Sequence, residues 1–248
     1  MPNYIHEEKI HNFKAAEIIV PIIIEKINPK SVVDVGCGLA TWLKVFKDYG
    51  IKKVLGIDGN YVDKSLLKIS PDEFTSADLT LPLKIERFDL ALCLEVAEHL
   101  APGAAYTIVK SLVKASDVIL FSAAIPGQGG QNHLNEQWPS YWQELFAKHG
   151  YSFYDIIRPL IWNNDVIEYW YRQNIFIVSK IHLADFNDSI SSKKILDIVH
   201  PDTFNKLLKE TKKDSVDYDR ISFRKMLVYK IRSRINNLFN KLKNDCKF

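Results

Sequence analysis

The chain has 248 residues, 47% hydrophobic, 12% aromatic and 25% charged, enough for a sizeable core in one globular domain with an appendage. A net charge of +3 is too small to argue for nucleic acid by itself, and the scattered Cys37, Cys93 and Cys246 exclude a disulfide framework or a cysteine metal site. With no leader and no apolar run of membrane length, a cytoplasmic protein is the expectation.

Residues from about Glu7 to Lys26 read as largely helical, with His11, Phe13, Ala16, Ile19 and Ile23 interleaved with charge. Pro21 predicts a kink or a division, and Pro29 closes the segment. The run Val32-Val33-Asp34-Val35-Gly36-Cys37-Gly38-Leu39-Ala40-Thr41-Trp42-Leu43 then organises the rest as strand, tight turn and helix. The helix runs to Tyr49, with Gly50 in the capping place. Two glycines one residue apart bare the backbone, and the N–H groups at the helix start face whatever lies in the turn, so a nucleotide-like ligand could pack there. The dinucleotide fingerprint requires a third glycine where this chain has Thr41, which disfavours a dehydrogenase.

The pattern Asp-x-Gly-x-Gly-x-Ala from Asp34 to Ala40 resembles the first motif of the Rossmann-like, class I S-adenosylmethionine methyltransferases. The resemblance implies that Asp34, Gly36, Cys37 and Gly38 hold the amino-acid end of that cofactor. The second strand, Lys53 to Asp58, ends in an acid followed by Gly59, about 20 residues past the glycine turn, where a carboxylate accepts from both ribose hydroxyls. A short strand near Glu73 to Ala77 leads to Ala77-Asp78-Leu79. In the resembled family that acid receives the adenine amino group and its apolar neighbour packs on the ring.

The fourth strand, Phe88 to Leu94, is nearly all apolar, as a strand buried on both faces should be, and Leu94 joins the expected cofactor contacts. It runs into Glu95-Val96-Ala97-Glu98-His99-Leu100. If a helix begins here, Glu95, Glu98 and His99 share one face. Val118 to Ala123 is the fifth strand. The loop after it, through Gln131, Asn132, His133 and Trp138, is rich in amides, and a loop hung at a strand end is where acceptor recognition would be built. Trp138 to His149 reads as an amphipathic helix, and Ser152–Ile157 and Asn174–Ser179 as the last strands. Between them lie Arg158-Pro159-Leu160-Ile161-Trp162 and Tyr169-Trp170-Tyr171-Arg172. Tyr171 and Arg172 could stack on a sugar or hold a phosphate; hairpin packing is the equal alternative.

The expected fold is α/β: a doubly wound, mostly parallel seven-stranded Rossmann-like sheet over 31–184, with an N-terminal helical cap at 1–30 and a helical, basic extension at 185–248. Ser189 to Ser192 is the expected linker, and Arg224 to Phe248 carries an apolar seam of Val228, Ile231, Ile235, Leu238 and Leu242. That helix suits a homodimer or docking on the main domain, or peripheral association with an anionic membrane surface.

For an oxygen acceptor the proton is the difficulty, because an alcohol is a poor nucleophile until a base or a metal assists. His99 and His133 are the candidate bases. Glu95, Glu98, His99 and the later His133 resemble the metal site of the small-RNA terminal 2′-O-methyltransferases, a donor set suited to Mg or Mn. The run Phe121 to Trp142, with Trp170-Tyr171-Arg172-Gln173-Asn174, resembles methyltransferases of bacterial capsule and surface-polysaccharide synthesis. This implies O-methyl transfer to a sugar, a nucleotide-linked sugar or a phosphoramidate group, and hence a small-molecule or glycan acceptor. An RNA 2′-O-methyltransferase and a non-catalytic cofactor-binding scaffold are the alternatives.

Overall fold

The computed structural model describes residues 12–182 and 197–213; the linker at Ser189–Ser192 and the helix expected over Arg224–Phe248 lie outside the described residues. Helix α1 (Lys14–Ile27) buries Ala15, Ala16, Ile19, Val20 and Ile23, and it ends on Asn28, whose φ of 49° is left-handed and whose N–H donates to the Ile24 carbonyl. Pro21 lies inside this helix and does not divide it. Burial of Ile19, Val20 and Ile23 on both sides outweighs the single hydrogen bond that proline removes. Strand β1 (Ser31–Val35) is buried throughout, α2 (Thr41–Asp48) follows the glycine turn, and β2 (Lys53–Asp58) and the short β3 (Phe74–Ser76) come next.

Strand β4 (Leu90–Leu94) starts two residues later than the apolar run suggests. Asp89 is occupied otherwise: its carboxylate accepts from the N–H groups of Lys30 and Ser31 at 2.7 and 3.0 Å. Helix α3 (Ala105–Ala115), β5 (Val118–Ser122), α4 (Pro139–Ala147) and β6 (Ser152–Tyr154) continue the chain. The aromatic stretch between the last strands is not a hairpin. It forms two short helices, α5 (Arg158–Ile161) and α6 (Tyr169–Asn174), before β7 (Phe176–Ser179). Helix α7 (Pro201–Lys213) ends the described chain.

The seven strands form one sheet in the order β3-β2-β1-β4-β5-β7-β6. All neighbours are parallel except β5 with β7 and β7 with β6. The chain starts at the centre, works outward through β2 and β3, then returns to β4 on the other side of β1. That reversal opens a crevice at the carboxyl ends of β1 and β4. One face of the sheet packs against residues such as Ile19 of α1, Leu43 of α2 and Ile161 of α5, and the other against Ile108 of α3 and Phe146 of α4. The chain forms two units, Met1–Thr203 and Phe204–Phe248, and the sheet belongs to the first. No helix among the described residues is long and apolar enough to cross a membrane.

Phe121, the penultimate residue of β5, sets its ring 5.4 Å from Trp142, 5.3 Å from Phe146 and 6.4 Å from Phe153. Phe121→Ala removes the keystone of that cluster, at a cost of about 3–5 kcal/mol. Leu66→Ala, at a side chain 52% exposed, changes stability by less than about 0.5 kcal/mol. Urea unfolding of the two variants measures the contrast.

Candidate active site

The crevice is built on the turn between β1 and α2. Gly36 has φ of 86°, and a Cβ there would lie 2.3 Å from Cγ2 of Val96, so only glycine lets the turn pass beneath the segment after β4. Its N–H donates to the Ile57 carbonyl at 2.7 Å, and that of Cys37 to the same oxygen at 3.2 Å. The next N–H, of Gly38, donates to Oδ2 of Asp58 at 2.7 Å. Oδ1 of Asp58 accepts from the N–H of Gly59 at 2.6 Å and the Tyr61 hydroxyl at 2.5 Å. The carboxylate that ends β2 thus ties the glycine turn to its own strand and keeps a lone pair of Oδ2 for another donor.

Asp34 and Asp58 are both buried. Burial first, and the neighbouring Asp58 charge second, push the Asp34 carboxyl up from the usual 3.8 to about 7. Cys37 is buried, and its thiol is pushed well above its ordinary range, chiefly by burial. Ala77 donates its N–H to the Asp58 carbonyl at 2.7 Å, and Leu79 is buried. Asp78 is exposed, its carboxylate turned onto the N–H and hydroxyl of Thr80 at 2.9 and 2.7 Å.

At the end of β4, beyond the buried Leu94, the chain does not enter a helix. Glu95 has φ of 53°, its N–H still bonded to the Ser122 carbonyl at 3.1 Å, and only Ala97–His99 makes a single 3-10 turn. The left-handed residue separates Glu95 from Glu98 and His99, so the three do not share one helical face. The Glu95 carboxylate accepts from Gln128 Nε2 at 3.0 Å and from Asn174 Nδ2 at 3.1 and 3.3 Å. Burial raises its pKa, and these amides and Ser122 offset part of that rise.

Glu98 is fully buried, and neither carboxylate oxygen has a hydrogen-bond partner. Burial, then the nearby Glu95 charge, push it well above the ordinary range; the adjacent N–H groups of Glu98 and Ala124 act the other way without reaching hydrogen-bond geometry. Its backbone carbonyl accepts from the N–H groups of Leu134 and Asn135 at 2.8 and 2.9 Å, which clasps the loop after β5 over the turn after β4. That clasp delivers His133. Its ring meets His99 edge to face, with centroids 4.8 Å apart, and one donor atom each from Glu98, His99 and His133 lie within 4.8 Å of one another. Burial, and the neighbouring His133, hold His99 down at about 4, so its ring is neutral at pH 7.

Of the four ligands suggested by the spacing, three converge, while Glu95 is engaged by amides. The acceptor residues disperse. Gln131 and Asn132 are exposed, and Trp138 precedes α4 half-buried. Tyr171 packs edge to face on Trp42 at 5.4 Å, and its hydroxyl is pushed up by burial and by the charges of Glu95, Glu168 and Asp34. Arg172 is buried, donating to Asp202 at 2.6 Å and to the Trp162 carbonyl at 3.4 Å. It pins the first turn of α7 rather than facing a ligand. Gln128, Asn174, Tyr61 and Glu136 were not singled out by sequence reasoning. Tyr61 and Glu136 each stand three residues from a chosen partner, a signal that was available; the meeting of Asn174 with Glu95 spans 79 residues and left no local trace.

Residues 10–157 match the model of a family described as a methyltransferase domain. No curated protein matches the chain. Two crystal structures of the methyltransferase domain of bacterial CtHen1 are 19% identical, with TM-scores of 0.51 and 0.50, covering 67% and 68% of this chain and 98% of each of theirs. A SAM-dependent methyltransferase from Archaeoglobus fulgidus is 17% identical, with a TM-score of 0.48, covering 71% of this chain and 97% of its own. At such identities the likeness is one of fold.

A carboxyl raised from 3.8 to about 7 in the fold binds its proton more tightly folded than unfolded. Its contribution to stability is complete below about pH 4, declines as the pH rises, and is lost above about pH 7, at up to about 1.4 kcal/mol per pH unit. Asp34→Asn flattens the fall in stability between pH 4 and 7, measured by denaturant unfolding at several pH values.

Proposed function

This chain belongs to the methyltransferase-domain family, and from that premise we propose that it moves a methyl group from S-adenosylmethionine to a hydroxyl of a sugar, a nucleotide-linked sugar or a phosphoramidate group of a bacterial capsular or surface polysaccharide, with a divalent cation assisting. The observation that carries the reading is the Glu98 carboxylate, buried, without a hydrogen bond, and grouped with two imidazoles. A buried carboxylate left without partners costs several kcal/mol, on the order of 3–5 when a charge pair is broken. Oxygen and imidazole donors together suit Mg or Mn.

S-adenosylmethionine, when bound, supplies a sulfonium methyl for in-line transfer. A cation held by Glu98, His99 and His133 would supply the Lewis acidity that makes an acceptor hydroxyl more acidic. The protein's part is placement. Asp58 offers Oδ2 to the ribose, Gly38 allows close backbone approach, and Leu79 offers an apolar wall to the base. Gln128 and Asn174 hold the Glu95 carboxylate as an acceptor. His99, held at about 4, is a poor general base at neutral pH and a good neutral donor, which leaves His133 to take the proton in a route without metal.

An RNA 2′-O-methyltransferase draws on the same three residues. Against it stand Arg158 and Arg172, both buried and bonded internally, so neither is spare for a phosphate; transfer to RNA that weakens steeply with salt would favour this alternative.

Calorimetric titration of S-adenosylhomocysteine, with and without Mn, tests the reading. Binding weakens at least about ten-fold in Asp58→Ala, equivalent to the loss of a charge-assisted hydrogen bond of about 1.5–3 kcal/mol. Mn raises the melting temperature of the wild type and not of Glu98→Gln or His133→Ala. A wild type that binds no S-adenosylhomocysteine in either condition sinks the proposal. Because the Tyr61 hydroxyl occupies Oδ1 of Asp58, where a second ribose hydroxyl would bond, Tyr61→Phe tightens binding roughly three- to ten-fold, the worth of one hydrogen bond of about 0.5–1.5 kcal/mol; unchanged or weaker binding assigns Tyr61 a supporting contact instead.

A further inference from the structure

The loop between β5 and α4 takes its shape from one carboxylate. Glu136 accepts the N–H of Gly127 on Oε2 at 2.7 Å and the N–H of Gly129 on Oε1 at 2.7 Å, and the same Oε1 meets Nδ1 of His133 at 2.9 Å. Gly127 and Gly129 have φ of 87° and 65°, a region that favours glycine, so the two N–H groups reach one side chain only because the loop carries glycine at both places. A third glycine makes room for the imidazole: a Cβ on Gly130 would lie 2.3 Å from Nε2 of His133. The ring is therefore held at one edge by a carboxylate and lies at the other on bare backbone. Both side chains are largely covered, at 11% and 20% exposure.

An ionised carboxylate only accepts, so a neutral imidazole in this contact carries its hydrogen on Nδ1 and its lone pair on Nε2. One ring nitrogen of His133 joins the group with Glu98 and His99, and with Nδ1 engaged by Glu136 Nε2 is the one left for it. We propose that Glu136 is a positioning residue that fixes His133 in the Nδ1–H tautomer and presents Nε2 to Glu98 and His99, while the same carboxylate folds the glycine loop that carries the ring. The proposal rests on the metal-assisted reading for what Nε2 meets, and not for the tautomer. A carboxylate behind an imidazole is the arrangement that raises the basicity of a histidine donor and holds its plane. Gln cannot replace it, because an amide offers one accepting oxygen where Glu136 serves three donors at two oxygens.

The test is a long-range proton–nitrogen correlation spectrum of the histidine rings in the uniformly 15N-labelled full chain, without metal, at alkaline pH. His133 is assigned by its loss in His133→Ala. In the wild type its Nδ1 carries the hydrogen and Nε2 is bare; in Glu136→Gln the pattern moves toward the Nε2–H form that imidazole favours in water. Mn affinity, titrated by calorimetry, falls about 10- to 100-fold in the same variant, with a cooperative melt showing that it is folded. A wild-type His133 with its hydrogen on Nε2 overturns the proposal with no substitution needed, and so does a Glu136→Gln protein whose tautomer is unchanged. A wild type that binds no Mn, yet shows the Nδ1–H form and loses it in Glu136→Gln, supports the positioning role and sinks only the metal reading.

Discussion

Much of the structure depends on the carboxylate of Asp58. Its two oxygens take the N–H of Gly38 on one side and the N–H of Gly59 on the other, so the turn after β1 and the turn after β2 are held by a single side chain 20 residues from Gly38. Gly36 and Cys37 already point their N–H groups at the Ile57 carbonyl. Three consecutive N–H groups of the glycine turn are therefore directed at β2, and the floor of the crevice is rigid before any ligand arrives. This preorganisation carries a cost in electrostatics. The charge that draws the turn together also stands beside Asp34, whose carboxyl is pushed up by burial and by Asp58.

Three further acids share the carboxyl end of the sheet, and the fold treats each differently. Asp34 lies within β1, where burial favours its protonated form. Glu95 is kept in place by the amides of Gln128 and Asn174, one from the loop after β5 and one from α6. Glu98 is given no partner at all. Among these acids that difference singles out one carboxylate, and two imidazoles are grouped with it. The grouping arises from strand order: β4 lies between β1 and β5, so the residues after β4 meet the glycine turn on one side and the loop after β5 on the other.

The segment ahead of α7 is closely tied to the rest of the first unit. Asp197 accepts from the N–H and hydroxyl of Ser140 at the start of α4, at 3.0 and 2.6 Å. The Ile198 carbonyl takes the amide of Gln173 at 2.6 Å, and the buried His200 donates its Nε2 to the Trp162 carbonyl at 2.8 Å while Nδ1 accepts from the N–H of Asp202 at 3.1 Å. Arg172 and Gln173, adjacent to the Asn174 that holds Glu95, are consumed in this strap. The aromatic and arginine cluster read as a candidate acceptor surface is thus partly joinery for residues 197–202.

The order of strands and helices, the glycine turn, and the acids at the ends of β1 and β2 were legible in the sequence because they follow from local chemistry. A strand buried on both faces must be apolar along its whole length, and a turn beneath another segment must lack a Cβ. Of the residues that the spacing from Glu95 to His99 and the later His133 picked out, Glu98, His99 and His133 lie together. Their arrangement was decided only by the tertiary structure. The left-handed backbone at Glu95 turns that side chain away from Glu98, and the clasp of Leu134 and Asn135 on the Glu98 carbonyl brings His133 across a loop whose length says nothing of its path. Glu136, Asn174 and Gln128 acquire their roles from hydrogen bonds made across the folded site, which no periodicity records. Local pattern is set by what each residue can bury or bend; the partner that a buried charge receives is set by which strand ends come to lie side by side.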